Sequence, residues 1–241
     1  GVPDAPVLTS AAGPTGDNTP TLTGTAEAGA TVTISNGETV LGTVTAGSIA
    51  GAGSIRIGTS ATLKAGGSNA STSFSGSIGG SGGVSKTGTG TLTLTGTNSY
   101  TGATTVTAGK LVVNGVLASS VALAGGTLGG SGTIGGVSVA SGATVAPGNS
   151  IGTLTVSGNV AFASGSTYQV EVDAAGQSDR ITASGNATLS GGTVQVLAAT
   201  GNYAAATSYT ILTASGGVSG RFATVTSNLA FLTPSLAYDS Q

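Results

Sequence analysis

The chain contains no cysteine, no histidine, no methionine and no tryptophan. Without cysteine there is no disulfide and no thiolate nucleophile. Without histidine or cysteine, zinc loses its usual ligands, and a serine has no imidazole to take its proton. Charge is also scarce: 6 Lys and Arg and 8 Asp and Glu give a net charge of -2 over 241 residues. Nothing in that balance would track a phosphate backbone, so no nucleic-acid partner is expected. No Asp or Glu lies between Glu38 and Glu171, where Arg56, Lys64, Lys86 and Lys110 stand alone. No apolar run approaches the ~20 residues of a membrane-spanning helix. The chain opens on Gly1 with no signal peptide, as expected of a mature chain or an excised piece.

What the chain has is glycine, 44 residues of it, with abundant Ser and Thr and 38% hydrophobic residues. That apolar share supports a core, and the low charge is unlike ordinary disorder, which comes with high net charge. The stretch Lys86 to Leu111, KTGTGTLTLTGTNSYTGATTVTAGKL, shows how the residues are arranged. Leu92 and Leu94 alternate with Thr91, Thr93 and Thr95, the period of a half-buried strand. Gly96 and Asn98 break the run, Thr104 to Thr107 resumes it, and Ala108-Gly109 breaks it again. Short strands separated by loops of a few residues predict an all-β fold of the solenoid kind.

Residues 1–46 read differently from the rest. They carry Pro3, Pro6, Pro14 and Pro20 and four of the eight acidic residues. Three alternating strands are predicted there, Thr21 to Thr25, Ala30 to Ser35 and Thr39 to Thr45, with a hairpin across Asn36-Gly37. From Gly47 an internal repeat appears: VSVASGATV at 137–145 aligns without a gap on VAFASGSTY at 160–168. Each unit is a strand, a Gly corner and a strand, and the irregular intervals require loops of varying length at the corners. At ~20 residues per turn about nine rungs are expected. Aromatic rings concentrate late, at Phe162, Tyr168, Tyr203, Tyr209, Phe222, Phe231 and Tyr238. An open solenoid end exposes strand edges that must be covered, so Tyr209, Phe222, Phe231 and Leu232 are predicted to form a C-terminal cap.

Catalytic patterns fail on chemistry. Gly148-Asn-Ser150-Ile-Gly152 has nucleophile-elbow spacing, but no histidine base exists. Gly130-Ser-Gly132-Thr-Ile-Gly135 has dinucleotide spacing, but no helix follows to meet a pyrophosphate, so it reads as a tight corner. Glu171 and Asp173 in TYQVEVD share one face with Gln169, opposite Val170 and Val172. They are either an acid and base pair on a polysaccharide-active solenoid or a solvated face. Asp179-Arg180 reads as a surface turn pair. Gly-rich turns such as GGSGG lack the Asp that a calcium-binding solenoid places in each turn. No catalytic residue, metal or cofactor is predicted.

Residues 50–111 resemble the passenger repeat of bacterial autotransporters, and 125–240 resemble the C-terminal passenger segment called the autochaperone or junction region. The second resemblance rests on GGTLGGSGTI, ATVAPGNSIGTLTVSGN, STYQVEVDAAGQSDRI, GGTVQVLAATGNYAAATSYTILTASGGVSGRF and SNLAFLTPSLAYDS. Pro20, Gly24, Gly29 and the expected hairpin resemble the opening half of a bacterial Ig-like repeat. Together the resemblances imply a right-handed parallel β-helix with a C-terminal cap and a small Ig-like β fragment. They divide it into 1–46 (Ig-like), 47–124 (passenger repeat) and 125–241 (autochaperone-like end). They imply a non-catalytic stem of an adhesin at the bacterial cell surface, exported through the outer membrane. Its partner would be its own outer-membrane β-barrel, beginning beyond Gln241. Contact with glycans or with another copy of the chain is the alternative role.

Overall fold

The computed structural model describes residues 43–204 and 206–239, and before them only the short strands Val7–Leu8, Gly24–Thr25 and Thr31–Ile34. The described residues contain no helix. The chain winds as a right-handed parallel β-helix whose coils each lay one strand on three faces. The first face stacks eight strands, from Thr72–Phe74 through Thr91–Leu94, Lys110–Val113, Thr127–Gly130, Thr144–Pro147, Thr167–Val172 and Thr193–Ala198 to Thr224–Ser227. The third face stacks nine among the described residues, from Thr43–Ala46 to Val218–Arg221. The second face carries Ser54–Ile57, Ser77–Gly80, Thr153–Val156, Arg180–Ala183 and Leu212–Ala214, and strands Val116–Leu123 and Thr133–Val139 continue from it into the third with a register shift between Leu117 and Ser120.

Alternation fixes which side chains enter the core. On the first face Leu92, Leu111, Leu128, Val145, Tyr168 and Val194 stack in register and are buried. Thr91, Lys110, Thr127, Thr144, Thr167, Thr193 and Thr224 form the neighbouring outward row. A parallel ladder places like residue over like, so a Leu, Ile and Val row builds one continuous core from a pattern of period two. Corners need backbone that other residues resist. At Gly130 φ is +103°, and a Cβ there would sit 2.1 Å from the Val113 carbonyl oxygen of the coil below. Gly130-Ser-Gly132 is therefore a solenoid corner, as the sequence reading expects.

The N-terminal strands depart from expectation. Thr31–Ile34 and Thr43–Ala46 do not form a hairpin with each other. The first pairs in parallel with Ser54–Ile57, the second in parallel with Thr62–Ala65. Both strands thus join the solenoid ladder, where pairing with the next coil satisfies their backbone groups. Val7–Leu8 pairs antiparallel with Gly24–Thr25. The turn Asn36-Gly37 lies outside the described residues.

Candidate functional site

Coil length changes along the helix, and it changes at one corner. Stepping along Thr72, Leu92, Leu111, Leu128, Val145, Tyr168, Val194 and Val225, successive coils take 20, 19, 17, 17, 23, 26 and 31 residues. The growth lies between first and second face, where strands ending at Pro147, Val172 and Ala198 are followed by strands starting at Thr153, Arg180 and Leu212. The other two corners stay short. Three loops therefore form a ridge on one edge of the C-terminal half, and such insertions are where solenoids carry contacts.

The ridge is held by its own polar groups. In the first loop Asn149 Nδ2 donates to Asn114 Oδ1 at 2.9 Å, which also accepts the Ser131 N–H. Gly148 has φ +82°, and a Cβ there would lie 1.8 Å from the Ser150 carbonyl oxygen. Ser150 is exposed in this loop and has no base, so the elbow spacing is only a turn. In the second loop Asp173 Oδ1 accepts from the N–H groups of Ala175 and Gln177 at 3.0 and 2.8 Å. Glu171 lies outward on its strand, as alternation predicts, while Val170 and Val172 are buried. Asp173 instead lies just past the strand, with its carboxylate tying a turn. In the third loop Tyr203 donates to the Val172 carbonyl at 3.0 Å and Tyr209 to the Asp173 carbonyl at 2.6 Å, pinning it to the coil below.

Asp179 corrects the sequence reading. It is not a surface turn residue: it is 1% exposed, while Arg180 beside it is exposed. Its Oδ1 accepts the Gly152 N–H at 2.8 Å and its Oδ2 the Glu171 N–H at 2.9 Å. Burial pushes its pKa up to about 6, against the two N–H bonds that favour the ionised form.

The repeat coil carries a second polar set. Asn98 is fully buried; its Oδ1 accepts the Ile78 N–H at 3.2 Å, and its Nδ2 donates to the Gly96 and Val116 carbonyls at 3.2 Å each. One side chain thus bridges the coils above and below its own. Buried Tyr100, Thr104 and Ser119 form a hydroxyl chain with steps of 2.5 and 2.6 Å. Lys86 occupies an inward row between Ala65 and Val106. Its ammonium donates to the carbonyls of Thr87, Gly88 and Ala108 at 2.6, 2.9 and 3.2 Å, and burial pulls its pKa down. Sequence reading treated Lys86 as a solitary cation and missed this corner plug, because three carbonyl partners leave no trace in side-chain spacing.

The C-terminal end contains the predicted ring cluster in altered form. Phe222 is buried, with its ring centroid 5.1 Å from Phe162 and 6.1 Å from Tyr168. Its N–H donates to the Tyr238 hydroxyl at 2.9 Å, and the Arg221 guanidinium lies 5.0 Å over the Tyr238 ring. Tyr209, Leu236 and Tyr238 pack partly buried against the core. Phe231 is 98% exposed and is no part of the seal; Leu232 is half-buried beside it. From 231 to 239 exposure alternates, so the tail runs extended and sends Leu232, Pro234, Leu236 and Tyr238 to its more buried side. That alternation reverses the expected role of Phe231: it falls on the outward parity.

Residues 84–113 match the family model of the passenger-associated-transport-repeat. The match marks an autotransporter passenger region and, with it, a surface or secreted location. A comparison of the whole chain with curated proteins finds no match. The matched residues include Lys86, Asn98, Tyr100 and Thr104, the buried polar residues just described. Among the described residues no cluster of His, Cys, Asp and Glu could hold a metal ion.

Proposed function

We propose that the chain is a non-catalytic structural stem of a surface-exposed or secreted autotransporter adhesin. In this reading residues 125–241 form the autochaperone-like end, and each finished coil offers an edge on which the next one pairs during export. The observation that carries it is the position of the passenger repeat: residues 84–113 lie inside an unbroken parallel ladder, stacked on both sides. The Phe162, Tyr168 and Phe222 cluster supports a firm terminal coil from which pairing could propagate. Glu171 and Asp173 do not supply a catalytic pair in this reading, since Asp173 is engaged in its turn. The partner is the protein's own outer-membrane β-barrel. The test is display of the passenger, joined to such a barrel, on the bacterial surface. Phe222→Ala should reduce protease-resistant passenger at the surface, whereas Phe231→Ala should leave it unchanged. Equal display from both variants would refute the role of the terminal coil.

A second reading is a binding module for glycans or for another copy of the chain. The one-sided loop ridge, with half-buried Tyr203 and Tyr209, favours it. Deleting 200–210 should then abolish binding to a glycan array or self-association while leaving the β-sheet spectrum intact.

A further inference from the structure

Strands Lys110–Val113 and Val116–Leu123 are joined by two residues, Asn114 and Gly115. An Asn-Gly pair is the dipeptide in which a backbone nitrogen attacks the preceding side-chain amide most readily, because glycine puts no Cβ in the way. The folded corner holds both reacting groups. The Gly115 N–H donates to the Leu94 carbonyl at 3.1 Å, and the Asn114 N–H to the same oxygen at 2.9 Å. Asn114 Oδ1 accepts from the Ser131 N–H at 3.2 Å and from Asn149 Nδ2 at 2.9 Å. The corner also has no slack, since a Cβ on Gly115 would lie 2.1 Å from the Gly96 carbonyl oxygen of the coil below. Asn114 is nevertheless exposed, so water reaches it. Hydrogen bonding, not burial, keeps the pair apart.

We propose that Asn114-Gly115 is a deamidation site gated by folding, silent in the finished coil and reactive in a chain that has not folded. In the reaction the Gly115 nitrogen loses its proton and bonds to Asn114 Cγ, the Cγ–Nδ2 bond breaks, and ammonia leaves. Water then opens the cyclic imide at either carbonyl and gives aspartate or isoaspartate; nothing is oxidised or reduced. The two products differ in what they do to the fold. Aspartate keeps an oxygen where Oδ1 accepts its two bonds, so the corner stays whole. Isoaspartate routes the main chain through Cγ and adds one backbone atom between Val113 and Val116. Val113 pairs with Leu94 and Val116 with Thr97 in the coil below, where two residues also make the corner, and Val116 pairs with Thr133 in the coil above. The added atom therefore takes one strand out of its ladder. A chain that lingers unfolded is marked at this corner and barred from the helix.

The attack must open the Gly115 N–H bond and both bonds at Oδ1, each worth about a fivefold factor, so deamidation should be roughly a hundredfold slower in the folded chain than in the unfolded one. The test holds the full chain at neutral pH, folded or in guanidinium chloride, and reads Asn114 by peptide mapping, which separates it from Asn36. Asn149→Ala, in an exposed loop, should speed the folded reaction about fivefold and leave the unfolded rate unchanged. Chains aged in guanidinium chloride are then refolded and digested. Asparagine and aspartate at 114 should survive in the protease-resistant fraction, and isoaspartate, read by isoaspartate-specific methylation, should be confined to the digested one. Equal rates at Asn114 in folded and unfolded chains, an Asn149→Ala chain that folds and reacts no faster than the parent, or isoaspartate in the resistant fraction would each overturn the proposal.

Discussion

Phe222→Ala is expected to be a damaging truncation in the last coil, and its size follows from the packing. The ring is 8% exposed and touches two other rings, one edge-on at 5.1 Å. A buried aromatic removes ~150–250 Å² from water at ~25 cal/mol per Å², about 4–6 kcal/mol before any relaxation. The terminal coil can partly collapse into the space, which brings the cost to about 3 kcal/mol, the low end for such truncations. For a chain of this size that is a fall in Tm of about 6–12 °C. Because each solenoid coil contacts only its neighbours, the loss should appear first as fraying of the last coils. The assay is thermal melting by circular dichroism beside limited proteolysis of residues 193–239. Phe231→Ala is the control: at 98% exposed it should change stability by less than ~0.5 kcal/mol. A Phe231→Ala loss equal to that of Phe222→Ala would refute the placement of the seal.

Asn98→Ala should cost about 2–4 kcal/mol, because the Ile78 N–H and the Gly96 and Val116 carbonyls lose their buried partner together, read as a lowered urea midpoint. Lys86→Met keeps the length but leaves three carbonyls unbonded, and should cost about 1–3 kcal/mol; an unchanged melt would show that water replaces the ammonium. Global stability should gain a contribution from Asp179 as pH falls from 6 toward 4, since the folded state binds the proton more tightly than the unfolded chain; Asp179→Asn should flatten that part of the profile. Incubation with pectic and other polysaccharides should release no product, and Glu171→Gln or Asp173→Asn should make no difference; activity lost in either variant would overturn the non-catalytic reading.

The fold was largely legible because a solenoid writes its period into the chain. Thr-Leu-Thr-Leu at 91–94 and Val-Ser-Val at 137–139 show the inward parity directly, and each Gly break falls near a corner. The short N-terminal strands were not legible in the same way. Alternation gives Thr31–Ile34 its faces but not its partner, and Asn36-Gly37 suggested a local hairpin where the strand pairs with a later coil. The polar fastenings were hidden for a different reason. Asn98, Lys86 and Asp179 each reach a backbone group of another coil, 18–27 residues away, so no side-chain motif announces them. At the C-terminus the density of rings suggested a cap of Tyr209, Phe222, Phe231 and Leu232; Phe222 is buried and Tyr209 partly so, but Phe231 is exposed. Chain parity put it out.

The most direct test of the stem as a folding template is refolding in trans. Residues 43–124 would be diluted from urea with and without the separately folded segment 125–241, following β-sheet signal and protease resistance. Templating requires that the folded segment speed recovery of the protease-resistant form, and that segment 125–241 carrying Phe222→Ala speed it less. Refolding of 43–124 at the same rate with, without or with the altered segment would contradict it, leaving the terminal rings as core that stabilises but does not direct.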